Sequence, residues 1–185
     1  MESAYHKVNH IDLSPDGKRA VFLHRWYQKG VKRTRLMCLE LESMSLSVLA
    51  SNDMVSHMGW IDSEHLVGYL KGKTGKDAFY FVDLDGNQKM LNLPELFEDG
   101  HPTVYGDWMI VDSYPDHTCK SKLYLVSLKT EKLICLGKFH SYKKYEGTVR
   151  CDLHPRFNSD GHSITFDSVC DGKRHLYQLD FKDFI

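Results

Sequence analysis

Val8-Asn9-His10-Ile11, Ser56-His57-Met58-Gly59-Trp60, Gly100-His101-Pro102-Thr103 and Leu153-His154-Pro155-Arg156 each place a histidine near the start of one of four similar segments. The histidines stand at 10, 57, 101 and 154, at intervals of 47, 44 and 53 residues. A period of about 40–50 residues is that of a β-propeller blade or another stacked repeat. Histidines at equivalent positions of such blades would converge on one axis, so the repeat points to a fold and to a candidate site together.

The segments share an internal order: a short strand with the histidine, a turn, a strongly apolar strand, a loop, and an aromatic-rich alternating strand. The first turn reads Ser14-Pro15-Asp16-Gly17 and the last Asn158-Ser159-Asp160-Gly161. Asp-Gly supplies the positive φ of a tight hairpin. The second segment turns at Asp62-Ser63 and the third at Tyr105-Gly106-Asp107. Second strands are predicted over 19–24, 65–70, 108–112 and 163–168. Third strands fall at 35–41, 78–84, 122–128 and 175–181, where runs such as Phe79-Tyr80-Phe81-Val82 favour β structure. Fourth strands follow at 46–49, 88–92 and 131–136. No long stretch has a 3.6-residue apolar period, although 93–98 suits one helical turn.

The expectation is an all-β chain forming about four four-stranded blades, approximately 7–50, 54–93, 100–138 and 150–185, within one propeller domain spanning 1–185. An ordinary antiparallel sandwich is the competing architecture. The fourth segment reaches Ile185 before an outer strand, so the blade count predicts a ring only partly represented here. An open stack would expose apolar faces and strand edges, and self-association or missing blades would be expected to cover them.

Composition narrows the function classes. The 185 residues carry a net charge of −1, with 26% charged and 42% hydrophobic residues. That balance drives the chain neither to nucleic acid nor to anionic membrane. The basic run from Lys29 to Arg35 reads as a solvated loop or a substrate clamp. No apolar run approaches the ~20 residues of a membrane helix, and the N-terminus has no apolar signal core. Five cysteines, an odd number with no CxxC pair, read as reduced thiols in a cytoplasmic protein. No GxSxG, P-loop, GxGxxG or HExxH motif occurs.

The densest polar constellation is Arg150-Cys151-Asp152-Leu153-His154-Pro155-Arg156. On a strand, Arg150, Asp152, His154 and Arg156 would share a face. Carboxylate and imidazole suit a divalent ion, and guanidinium groups clamp carboxylates. A structural network, with Asp152 paired to an arginine, is equally compatible with the spacing. His101 would lie beside His154, adding a second imidazole and leaving positions open for substrate. In His24-Arg25-Trp26-Tyr27, aromatics beside Arg25 suit a sugar ring bearing a carboxylate, and an ordinary strand end equally. Asp112, Asp167 and Asp171 read only as residues near strand ends and turns.

Taken in order, these residues resemble the oligogalacturonate lyases and their TolB-like relatives. The likeness runs from Asn9-His10-Ile11, His24 and Arg35 through Ser56-His57-Met58-Gly59-Trp60 and Gly100-His101 with Val111-Asp112 to Asp152-Leu153-His154-Pro155-Arg156. It covers almost the whole chain. It implies β-elimination on small galacturonate oligomers in pectin breakdown, assisted by a divalent ion, typically Mn²⁺, held by three histidines and a glutamine. It also implies a seven-bladed ring, of which this chain would be roughly the C-terminal half. His101 and His154 match two of the histidine ligands. Asp152 stands where the third is expected and can still ligate, whereas Val149 stands near the glutamine position and cannot. Arg35 and His57 match positions of substrate handling and proton transfer. Arg25, Trp26, Arg150 and Arg156 are then candidates for binding a small acidic oligosaccharide. The competing expectations are a noncatalytic module that binds a carbohydrate or a protein, and an inactive fragment of a lyase.

Overall fold

The computed structural model describes residues 5–96 and 98–180. The chain forms two compact units, residues 1–92 and 93–185, and each holds two β-propeller blades. Every blade is an antiparallel meander with strands in sequence order. In the first unit, β1 (His6–Leu13), β2 (Arg19–Gln28), β3 (Val31–Glu40) and β4 (Leu46–Ala50) make one blade. The next is β5 (Val55–Trp60), β6 (His65–Lys71), β7 (Asp77–Asp83) and β8 (Gln88–Met90). The second unit contains β9 (Thr103–Tyr105), β10 (Trp108–Asp112), β11 (Lys120–Ser127) and β12 (Leu133–His140). It then has a three-stranded blade of β13 (Arg156–Phe157), β14 (Ser163–Ser168) and β15 (His175–Asp180), whose third predicted strand ran on to Phe181, outside the described residues.

Local chemistry accounts for the hairpins. At the first turn the Gly17 N–H donates to the Ser14 carbonyl at 2.8 Å, and Asp16 accepts from the Ser14 hydroxyl and the Lys18 N–H. Gly17 and Gly161 take φ of +69° and +68°, the left-handed region that lacks a steric cost only for glycine. The inner strands are apolar because both faces are covered: β6 is buried from Leu66 to Leu70, and β10 from Met109 to Asp112. In the first unit, Val21, Leu23 and Leu36 of one blade pack with Leu66, Leu70 and Val82 of the next. In the second, Ile110, Leu123 and Leu125 pack with Leu153, Ile164 and Phe166. By contrast β1 is largely uncovered, with Val8 52%, Ile11 68% and Leu13 57% exposed.

Several elements differ from the sequence reading. The basic run is not a loop: only Lys29 and Gly30 turn, and Val31 onward is β3, because β2 and β3 stay in register from Arg19↔Glu40 to Gln28↔Val31. Residues 93–96 form a turn closed by the Leu96 N–H on the Leu93 carbonyl, rather than a helix. The stretch 150–155 is no strand. A short 3₁₀ turn at Gly147–Val149 precedes it, pairing begins only at Arg156, and His154 takes φ +41°. The strict alternation expected for Arg150, Asp152, His154 and Arg156 therefore does not apply. His10 and His57 lie on first strands as expected, but His101 and His154 stand just ahead of theirs. All five cysteines are free thiols. Among the described residues no helix is long and apolar enough to cross a membrane.

Candidate metal centre

The histidine repeat is realised as two pairs, one within each unit. In the first unit the His10 and His57 rings meet edge to face, with centroids 5.0 Å apart. In the second, the His101 and His154 rings lie 3.9 Å apart, tilted by 41°. His57 is 8% exposed, and its Nδ1 lies 3.2 Å from the Ser56 hydroxyl.

The second pair is completed by a carboxylate. One ligand atom each from His101, Asp152 and His154 lies within 4.8 Å of the others. The three come from the approach to β9 and from the extended segment before β13. The left-handed backbone at His154 gives the side-chain direction that a regular strand would not. Two imidazole nitrogens and a carboxylate oxygen fit a borderline divalent ion such as Mn²⁺, Fe²⁺ or Zn²⁺.

Asp112 organises this trio. It ends β10 and is 1% exposed. One carboxylate oxygen accepts the His101 backbone N–H at 2.7 Å and faces His101 Nδ1 at 3.0 Å, and the other accepts the His154 backbone N–H at 3.0 Å. A carboxylate can only accept, so Nδ1 of His101 carries the proton and Nε2 is the nitrogen able to ligate. A carboxylate that holds the far ring nitrogen in this way fixes the orientation and tautomer of a metal-binding histidine. Sequence reasoning passed over Asp112. The available signal was a carboxylate closing the apolar run Met109-Ile110-Val111, where a buried charge requires partners.

The electrostatics are asymmetric. Burial acts to lower the His101 pKa, but the Asp112 hydrogen bond and charge, with Asp152 and Asp99, hold it above the usual range. Burial, then the neighbouring His101 charge, hold His154 below it. Burial would raise Asp112, but His101 and the two backbone N–H groups outweigh that and keep its carboxyl below the usual range.

Arg150 holds Asp152 from the side. Its Nε and one terminal nitrogen donate to the two carboxylate oxygens at 2.6 and 2.8 Å, and its guanidinium lies 4.4 Å over the Tyr114 ring. A carboxylate has about four lone-pair directions, so this fork leaves capacity for an ion. Arg156 is exposed on β13 opposite Thr165. Arg25 donates to the Ser56 carbonyl at 3.3 Å. It faces away from Trp26, as strand neighbours do, so the cation over Trp26 is Arg35, at 5.4 Å. Arg35, Arg25, Trp26 and His57 belong to the first unit, and the trio with Arg150 and Arg156 to the second.

No protein-family model matches the sequence, and no curated protein is similar to it. Solved structures are similar in fold. TolB from Acinetobacter baumannii superposes with a TM-score of 0.67 at 17% identity, over 93% of this chain and 40% of that one. An oligogalacturonate lyase in complex with manganese gives 0.57 at 14% identity, over 98% of this chain and 66% of the lyase. A puromycin-hydrolysing peptidase of Mycobacterium tuberculosis gives 0.64 at 15% identity, over 94% of this chain and 27% of the peptidase. These likenesses show a β-propeller fold. The chain spans well under half of the TolB structure and about two thirds of the lyase. A fold shared by a lyase, TolB and a peptidase does not select an activity.

Proposed function

We propose that this chain acts as an oligogalacturonate lyase-like protein, cleaving short galacturonate oligomers by metal-assisted β-elimination, in the cytoplasm, as part of pectin breakdown. The observation that carries the reading is the His101, Asp152 and His154 trio with its buried Asp112 support. The manganese in one solved lyase of the same fold agrees with it.

A C5 proton of a uronate is too weakly acidic to leave unaided, and the negative charge that develops as it departs must be stabilised. A divalent ion held by His101, Asp152 and His154 would polarise the substrate carboxylate. In the first unit, Arg35 offers a planar two-donor fork of the kind that matches a uronate carboxylate. His57, also in the first unit, is the residue assigned as general base for the C5 proton; in the elimination the C–H electron pair becomes the C4–C5 double bond and the C4 oxygen leaves with its bond electrons. Trp26 and the arginines 25, 150 and 156 are the residues assigned to hold the acidic saccharide. A second reading, a noncatalytic module that binds a carbohydrate or a protein, is favoured by one feature. Arg150 already gives each oxygen of Asp152 a charged partner without any ion.

Purified protein with Mn²⁺ and digalacturonate separates the two. Unsaturated product, absent with His101→Ala/His154→Ala, supports the lyase. No product, together with no calorimetric heat on Mn²⁺ addition, supports the module.

A further inference from the structure

β2 and β3 place His24 directly opposite Arg35. Arg35 Nε donates to His24 Nδ1 at 3.0 Å. Arginine has donors only, so His24 Nδ1 is an acceptor and its ring proton sits on Nε2. That nitrogen lies 2.9 Å from Nδ1 of His6 on β1, and the two rings are parallel within 1°. The polarity runs one way: Arg35 Nε–H to His24, and His24 Nε2–H to His6. Trp26 completes the group, stacked on His24 at 5.1 Å and beneath the Arg35 guanidinium at 5.4 Å.

The charge balance of this cluster is unusual. Arg33, two residues earlier on the same face of β3, is neutralised by Asp53. Arg35 is half-buried, its recorded partners are His24 and Trp26, and among the described residues no carboxylate pairs with it. A partly desolvated guanidinium is ordinarily paired. An imidazole in place of a carboxylate fixes its orientation without cancelling its charge. Burial, followed by the charges of Arg35 and His6, holds His24 below the usual histidine range, which keeps the acceptor neutral near pH 7.

We propose that His6, His24, Trp26 and Arg35 form a carboxylate-binding clamp, in which His24 is the positioning residue that presents Arg35 as a two-donor fork. A planar carboxylate matches that fork, and the bound sugar or aliphatic body would lie along Trp26. Use of an acidic sugar as probe rests on the proposed function. The clamp itself requires neither the metal nor turnover.

The test is a ¹⁵N-HSQC titration of the whole chain in EDTA, following the Arg35 Nε–H and Trp26 indole N–H signals. D-galacturonate is expected to shift both with saturation, and D-galactose neither. His24→Leu should weaken galacturonate roughly tenfold, the scale of losing a charge-assisted hydrogen bond. His24→Gln, whose side-chain oxygen can also accept from Arg35, should restore it to within a few-fold of the parent. Arg35→Lys should lose most of the binding because the fork is gone. Equal response to galactose, unchanged affinity in His24→Leu, or His24→Gln as weak as His24→Leu would each overturn the clamp. EDTA keeps metal ions out of this measurement and the signals followed belong to Arg35 and Trp26, so a failed lyase assay and a failed clamp are read separately.

Discussion

Asp112→Asn removes one charge and almost no volume from the centre of the second unit. Three donors converge on Asp112: the His101 and His154 backbone N–H groups and the His101 ring. The amide keeps one accepting oxygen and turns the other position into a donor. In either amide orientation at least one N–H faces an NH₂. A hydrogen bond to a charged group contributes about 1.5–3 kcal/mol, and leaving a buried donor unsatisfied costs about 1–3 kcal/mol. These overlap in one group, so a loss of about 3 kcal/mol follows. At about 2–4 °C per kcal/mol for a chain of this size, the metal-free protein should melt roughly 6–12 °C lower. With its tautomer no longer fixed, His101 should also ligate less well, by about 10–100-fold in Mn²⁺ affinity. Thermal melts with and without EDTA and a calorimetric Mn²⁺ titration measure both effects. A variant that melts with the parent and binds Mn²⁺ equally tightly would refute the role given to Asp112.

Three further outcomes follow from the same geometry. Arg150→Ala leaves Asp152, 9% exposed, without its counter-ion, so the metal-free melting temperature should fall. Mn²⁺ should then raise it by more than in the parent, and an equal or smaller rise would argue that Asp152 is not a ligand. A Cβ on Gly100 would sit 1.9 Å from the Asp112 carbonyl oxygen, a backbone atom that cannot step aside. Gly100→Ala should therefore displace His101, weakening Mn²⁺ binding and lowering the melting temperature, and parental behaviour in both would show that the loop yields freely. In metal-free protein, imidazole proton shifts should titrate above about 6.5 for His101 and below it for His154. Asp112→Asn should bring His101 down. A raised histidine pKa stabilises the fold fully below the unfolded value and loses that contribution as pH rises through the folded value. The His101–Asp112 contribution therefore fades on the alkaline side, and a His101 titration at or below that of His154 would contradict the pair.

Strand order was legible because it rests on neighbours in sequence. Apolar runs following the turns at Tyr105-Gly106-Asp107 and Asn158-Ser159-Asp160-Gly161 located β10 at 108–112 and β14 at 163–168 with the bounds the structure has. Residues between strands were harder. The segment 150–155 carries the polar alternation of a strand but forms no ladder: the Leu153 carbonyl accepts the Asp167 N–H of β14, and regular pairing starts only at Arg156, which alternation alone cannot show. The basic run at 29–35 looked like a loop because its lysines and arginines suit water. They also suit an exposed hairpin whose register is set further down, by Val21, Leu23 and Leu36 in the core.

What the sequence determined by itself was the blade repeat and the residue types of the candidate centre. Turn chemistry and strand pattern act over a few residues, and two histidines with an aspartate announce their chemistry wherever they stand. Only the tertiary structure decided which groups meet. Asp112 reaches His154 across 42 positions. His24 finds Arg35 through hairpin register, and the four histidines divide into two pairs. Such contacts depend on loop closure, on a left-handed residue at His154 and on the packing of neighbouring blades, none of which is carried by any short stretch of chain.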